Sequence, residues 1–332
     1  MSGTPAGSGR LDAIDQYRGF AIFLMVLADY LAGIDTVPAW LKHAPDVGYT
    51  MIDLIAPLFV FAIGLTFGIS FRRRIERDGT KHTYEHFISR NLALIGLGFL
   101  LTLTGNLSGV YPSTVNWGLL QALGAAGLIT LLVIRLPTIF RGALGVALLA
   151  GYQVLLDRFW LANVLPAPHN GPWGALSWGA LLILSTVLAD LYHGYIFDDP
   201  DRAAGQRLFP WFAFATLAAG LLLTFSVVLS KNRASASYVL ASLGLSAIVF
   251  WIFHLLESRK AIRLALLSAW GRNALLLYLL HGLLIGLFAL PPFPGWYEQA
   301  DRWLITVQAI VLLGSLSAVG ILLDKRRWYW SL

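Results

Sequence analysis

The chain has 332 residues, of which 57% are hydrophobic and only 13% charged, and its mean hydropathy is +0.69. A soluble domain is nearer half apolar and a quarter charged, so a water-soluble globular protein is excluded. The net charge of +6 marks cytoplasmic loops rather than a nucleic-acid partner, and the absence of cysteine removes disulfides, thiolate nucleophiles and thiolate metal ligands.

Taken in order, residues 1–17 read as a flexible cytoplasmic segment that opens on MSGTPAGSGR, which has no apolar core or cleavage signal. Apolar runs then predict an all-α polytopic membrane protein with about ten spans. They lie near 19–34, 52–71, 91–105, 117–135, 142–160, 174–192, 210–230, 236–256, 272–290 and 303–323. These form one transmembrane domain over 18–324, followed by a tail at 325–332. With both termini cytoplasmic, the outer side keeps only Lys42, Arg158, Lys231, Arg233 and Arg302 of the 24 Lys and Arg. Lys231 and Arg233 are the awkward pair in that assignment. The basic run RRRIERDGTK falls inside, as an orientation signal and lipid anchor or as an anion site for a phosphorylated cytosolic ligand.

Ionisable groups at membrane depth each cost a few kcal/mol unless paired or hydrated, and so are candidate functional groups. Asp29 ends the first predicted span, Asp53 begins the second, and His281 is central in the ninth. Gln121 opens the fourth span and Asn273 the ninth, while Asp190, His193 and His254 read as interfacial. His43 lies in the first external loop, within WLKHAPDVGYTMIDLIAPLFVFAIG. A histidine beside carboxylates can move a proton on and off a nucleophile, and Asp29, His43, Asp53 and His281 are the candidates for such a cavity. Among Asp29, His43, Asp53 and His281 no HxxxH or HExxH spacing supports a metal, and none is expected. P-loop, dinucleotide and GxSxG patterns are also missing.

Four stretches resemble the transmembrane acyltransferase family of heparan-alpha-glucosaminide N-acetyltransferase and its bacterial relatives. RLDAIDQYRGFAIFLMVLADY matches an Asp, two residues, Arg-Gly pattern ahead of an apolar helix. KHAPDVGYTMIDLIAPLFVFAIG is similar to a Lys-His-Ala, Gly, Thr, Asp-Leu, Pro, Phe-Val-Phe, Gly series, and is the most specific match. WGLLQALG and GRNALLLYLLHGLL resemble a Gly-X-Leu-Gln turn and an Asn, Tyr, His helix.

The resemblance implies transfer of an acyl group, usually acetyl, from cytosolic acyl-CoA to an amine or hydroxyl of a sugar across the membrane. His43 is then the catalytic base or transient acyl carrier, and Asp53 its orienting partner, with Asp29 and His281 in the same site. Asp15, Arg18, Arg72, Gln121, Arg272 and Asn273 would bind the CoA co-substrate. Two positions depart from the pattern: Asp29 replaces an expected Asn, and Ala122 replaces the Arg that usually follows the glutamine. The long external domain of the family's animal enzyme has no counterpart, so a heparan-like polymer is not the implied acceptor. The setting implied is the cytoplasmic membrane of a bacterium, with lipids, acyl-CoA and a sugar or glycoconjugate as partners. Competing expectations are a catalytically silent scaffold within a homo-oligomer or larger membrane complex, and a transporter using the same polar groups as a proton relay.

Overall fold

A computed structural model describes residues 12–107, 117–196, 201–258 and 264–330. The expected inside charges Arg10, Arg259, Lys260 and Arg263 lie outside the described residues. In chain order the helices are α1 (Asp12–Ala32), α2 (Ile55–Leu107), α3 (Leu119–Val133), α4 (Thr138–Leu155), α5 (Leu161–Val164) and α6 (Gly171–His193). They continue as α7 (Arg202–Leu223), α8 (Ala236–Ser258), α9 (Ala265–Arg272), α10 (Ala274–Ala289) and α11 (Arg302–Lys325). Among the described residues no strand is present. The single domain expected over 18–324 divides into two compact units. Met1–Val37 with Val249–Ser331 form the first, and Pro38–Ile248 the second.

Each of the ten predicted segments falls on a helix, but among the described residues six helical runs are long and apolar enough to cross a membrane, or seven if the bent pair α9–α10 is one span. The difference has three physical sources. The α1 helix carries Asp12, Asp15, Arg18 and Asp29, and α3 has only 15 residues, so neither qualifies alone. The third is α2, which counts once although 53 helical residues would reach about 80 Å, far beyond a ~30 Å hydrocarbon core. Its two apolar arms instead fold back on each other. Phe67 and Phe71 both pack on Phe87, at ring separations of 5.1 and 5.4 Å, and Phe71 also meets Tyr84. Gly79 (φ 78°, ψ 169°) makes the turn inside the charged run, in a backbone region that side chains other than glycine avoid.

The second unit is organised around α6, whose apolar window is 89% buried against 17% for α7. Helix α6 packs on α2, α3, α4 and α7. Lipid is the natural partner of the exposed α7 side chains Trp211, Phe212 and Phe214. Helix α7 starts at Arg202 rather than near 210 because the Asp201 carboxylate caps it, accepting from the Ala204 amide at 3.0 Å.

In the first unit α1 packs along α9, and a Cβ on Gly19 or Gly271 would strike the carbonyl oxygens of Leu267 or Asp15 respectively. The Arg-Gly and Gly-Arg-Asn stretches are therefore a backbone-to-backbone contact that only glycine permits. Helix α1 begins at Asp12, so residues 12–17, expected in the flexible segment, are helical and largely buried instead. Helices α9 and α10 meet at 89° on Asn273.

Candidate functional site

The His43 loop, residues 42–53, is built by its own side chains. Asp53 sits in the 3-10 turn Ile52–Leu54 that leads into α2, and its side chain is fully buried. One oxygen, Oδ1, lies 2.8 Å from His43 Nδ1. The other accepts from the amides of Thr50 (2.9 Å) and Ala44 (3.2 Å). The Thr50 hydroxyl reaches either that oxygen at 3.1 Å or the Lys42 carbonyl at 2.9 Å, its one proton serving one of them at a time. The Thr50-Met-Ile-Asp53 spacing is one half of a capping box, in which an acid three residues on bonds back to the cap amide. Asp53 is thus positioned by local chain geometry, and a carboxylate near a helix start is also favoured by the helix dipole.

This arrangement fixes the imidazole. A carboxylate only accepts, so His43 Nδ1 carries the proton of the bond and Nε2 keeps a lone pair. The His43 side chain is 44% exposed, which leaves it open to a reactant. Lys231 Nζ stands 3.1 Å from Nε2 and 3.2 Å from Nδ1.

The loop bearing Lys231 is locked to the His43 loop by several bonds. Ser230 Oγ donates to Asp46 Oδ1 at 2.9 Å, as does Arg233 Nε. The Asn232 amide donates to the Pro45 carbonyl, and Gly48 N–H to the Leu229 carbonyl at 3.0 Å. The Arg233 guanidinium holds the Asp46 carboxyl below the usual carboxylate range, with the Ser230 hydroxyl adding to it against a smaller opposing effect of burial. From α8, the Tyr238 hydroxyl donates to the Asp53 carbonyl at 2.8 Å, and Tyr49 shares a 2.9 Å bond with Ser242.

Sequence reasoning missed several of these residues. Lys231 and Arg233 stood out only as cations on the wrong side of the charge asymmetry. His169 and Asn170, at the start of α6, gave no signal, yet both have left-handed backbone (φ 49° and 69°). Asn170 donates to the Lys231 carbonyl at 2.9 Å and accepts from Trp178 Nε1 at 3.0 Å. His169 Nδ1 is buried without a hydrogen-bond partner, and Lys231 and His43 lie close enough for their charges to act on its ring.

In the first unit the structure joins Asp29 to His281. Asp29 Oδ2 is 2.9 Å from His281 Nε2, while His281 Nδ1 bonds the Tyr278 carbonyl one turn earlier. A carbonyl can only accept, so Nδ1 donates there, and the bond to Asp29 needs a proton of its own, on Nε2 or on the carboxyl. The side chain of His281 is 7% exposed and that of Asp29 is 46% exposed. The loop between α10 and α11 packs beside them: Tyr297 donates to the Tyr30 carbonyl at 2.9 Å. Burial, with a smaller contribution from the charge of Asp29, pushes the Tyr297 hydroxyl up to about 12.

The residues expected to bind the donor are mostly engaged within the protein. In the first unit Arg18 lies 3.7 Å from Asp15, and Arg272 Nη1 lies 3.1 Å from Asp324. Asn273 donates to the Ala269 carbonyl at 3.3 Å while its buried Oδ1 has no partner. In the second unit, Gln121 is fully buried and caps α3, its Oε1 accepting from Gly118 N–H at 3.0 Å. Arg72 donates to Asp190 at 2.9 Å. Asp190, expected at the interface, is instead buried between Arg72, Arg141 and Thr138, because two guanidiniums from distant segments converge on it. Among the described residues no group of three or more His, Asp or Glu is placed to hold a metal.

Comparison with known proteins identifies the family. A family described as "Heparan-alpha-glucosaminide N-acetyltransferase, catalytic" matches residues 10–256, which include His43, Asp53, Lys231 and Asp29. The human heparan-alpha-glucosaminide N-acetyltransferase is 34% identical over 94 residues, and the mouse protein 31% identical over 98. Those stretches are 28% and 29% of this chain and 14% of each relative, so only a small part of the relatives' length is matched. The family match covers well over half of the chain, and the chain belongs to the heparan-alpha-glucosaminide N-acetyltransferase catalytic family.

Proposed function

We propose that this integral membrane protein is an acyltransferase that moves an acyl group, acetyl in the simplest case, from acyl-CoA to an amine or hydroxyl of a sugar-type acceptor. The observation that carries the reading is the buried, multiply bonded Asp53 holding an accessible His43, with the Lys231 ammonium 3.1 Å from Nε2. His43 Nε2 takes the acceptor's proton as its nitrogen or oxygen attacks the thioester carbon. The new C–N or C–O bond leaves a tetrahedral oxyanion, which the Lys231 cation is placed to stabilise. Collapse breaks the C–S bond, and the proton held on His43 passes to the departing CoA thiolate. Asp53 keeps the ring in its productive tautomer throughout.

Asp29 and His281 are assigned as a second acid–base pair of the enzyme, one that takes the place of the neutral amide expected at position 29. Arg18 and Arg272 in the first unit, with Asp15 and Asn273 as polar residues there, and separately Arg72 in the second unit, are proposed as contacts for the donor's phosphates, each arginine being paired with a carboxylate in the structure. Gln121 acts on the donor indirectly, by fixing the start of α3. The apolar runs and the asymmetry of Lys and Arg support ten spans with both termini in the cytoplasm, and the resemblance supports a bacterial membrane and acyl transfer directed outward.

The test is release of free CoA from acetyl-CoA by purified protein in the presence of glucosamine, read with a thiol reagent. The cysteine-free chain contributes no background. His43→Ala should abolish release, Asp53→Asn should lower it by about 100-fold or more, and Lys231→Met by about 10-fold or more at unchanged folding. A fully active His43→Ala protein would remove the assignment.

A further inference from the structure

A cavity of about 500 Å³ lies in the second unit, away from the His43 loop, where the first arm of α2 meets the α3–α4 turn and the end of α6. Its lining includes Arg72, Arg135, Arg141, Thr138, Asp190 and Tyr195. These groups are not equivalent. Arg141 is 2% exposed and is committed to the protein, donating to the carbonyls of Ile134 (3.1 Å), Leu136 (3.3 Å) and Thr186 (3.4 Å) and to Asp190. Asp190 accepts three bonds, one oxygen taking Arg141 and the Thr138 hydroxyl (2.9 Å) and the other Arg72 (2.9 Å). Arg72 uses only Nη2 in that bond. Its guanidinium lies over the Tyr195 ring at 4.1 Å, and its Nε is buried with no partner. Arg135 is exposed on the wall and makes no ion pair among the described residues.

The lining thus holds one carboxylate, paired with two guanidiniums, and a third guanidinium on Arg135, leaving an excess of positive charge in a concave site. Topology would call for cations on the surface, not for cations gathered around a cavity with donors unspent. An arginine anchored over an aromatic ring keeps its planar fork of donors in place, which suits paired bonds to phosphate oxygens. Other arginines of the basic run are used differently: Arg74 and Arg77 both close on Asp78 at the α2 turn.

We infer that this cavity is a binding site for a phosphate-bearing anion, held by the free edge of Arg72 and by Arg135, with Asp190 and Arg141 as its rigid floor. The phosphate could belong to a soluble phosphoester or to a lipid headgroup. Arg72 is among the residues proposed to meet the acyl donor, but the inference stands on the cavity and not on acyl transfer.

The experiment has two arms on the delipidated protein in neutral detergent. In the first, pyrophosphate is titrated at constant ionic strength while the melting temperature is followed. A saturable rise is expected, and Arg135→Glu should weaken apparent affinity at least tenfold without changing the melting temperature of the ligand-free protein. In the second arm, nanodiscs of phosphatidylcholine with or without phosphatidic acid replace detergent. Stabilisation by phosphatidic acid that Arg135→Glu removes assigns the site to a headgroup, and pyrophosphate binding alone assigns it to a soluble ligand. Should neither probe give a saturable effect that depends on Arg135, the site is overturned. His43→Ala should bind pyrophosphate normally, so a loss of CoA release and a loss of phosphate binding fail separately.

Discussion

Asp46 and Asp53 belong to one loop, yet burial separates their tasks. Asp53 is enclosed and aims His43, whereas Asp46 is partly exposed and ties that loop to the segment carrying Lys231. Arg233 lowers the Asp46 carboxyl below its usual value in the folded protein. A lowered folded value means the tie is fully present above about pH 4 and is lost as pH falls through the folded value. The melting temperature of Asp46→Asn should therefore lie below that of the parent at pH 7, and the gap should close as pH drops below about 4. A gap that is constant with pH would show that the pairing contributes nothing. At this scale the pairing of His43 with Asp53 was legible, because a carboxylate at the start of an apolar segment needs a partner and the histidine lies in the loop before it. Lys231 and His169 were not, since neither lies near the motif in sequence and only folding brings them to it.

Helix α2 shows how one residue decides an element. The charged run cannot sit in hydrocarbon, so the sequence alone divides the arms on either side of it, and Gly79 supplies the turn. Placing valine there would force a branched side chain into backbone that side chains avoid, a cost of about 1–3 kcal/mol. Gly79→Val should unfold at correspondingly lower denaturant in detergent, while Gly151→Val, where nothing crowds a new Cβ, should change stability by much less. The exact start of α7 and the right-angle break at Asn273 were not legible, since apolar periodicity runs through both. Asp190 was misjudged for a related reason: a carboxylate at a helix end reads as interfacial until Arg72 and Arg141, far off in sequence, are seen to enclose it.

At the scale of the whole molecule, the helical class followed from composition, and every predicted segment landed on a helix. The division into two compact units was hidden, because the first unit is assembled from both ends of the chain. Orientation is open to a direct test, since a chain without cysteine accepts single cysteines as unambiguous reporters. With the N-terminus inside, Ala39→Cys and Gln299→Cys in intact cells should react with an impermeant maleimide, and Thr80→Cys should react only after lysis. The reverse pattern would invert the topology. The lock between the two loops of the His43 site also sets an order of assembly during synthesis. His43 can meet Asp53 after only ten further residues, but Lys231 is 188 residues away. For most of its translation the nascent chain carries His43 and Asp53 without Lys231, and under the mechanism proposed above a product cut short before Lys231 would keep the base while lacking the cation assigned to the oxyanion.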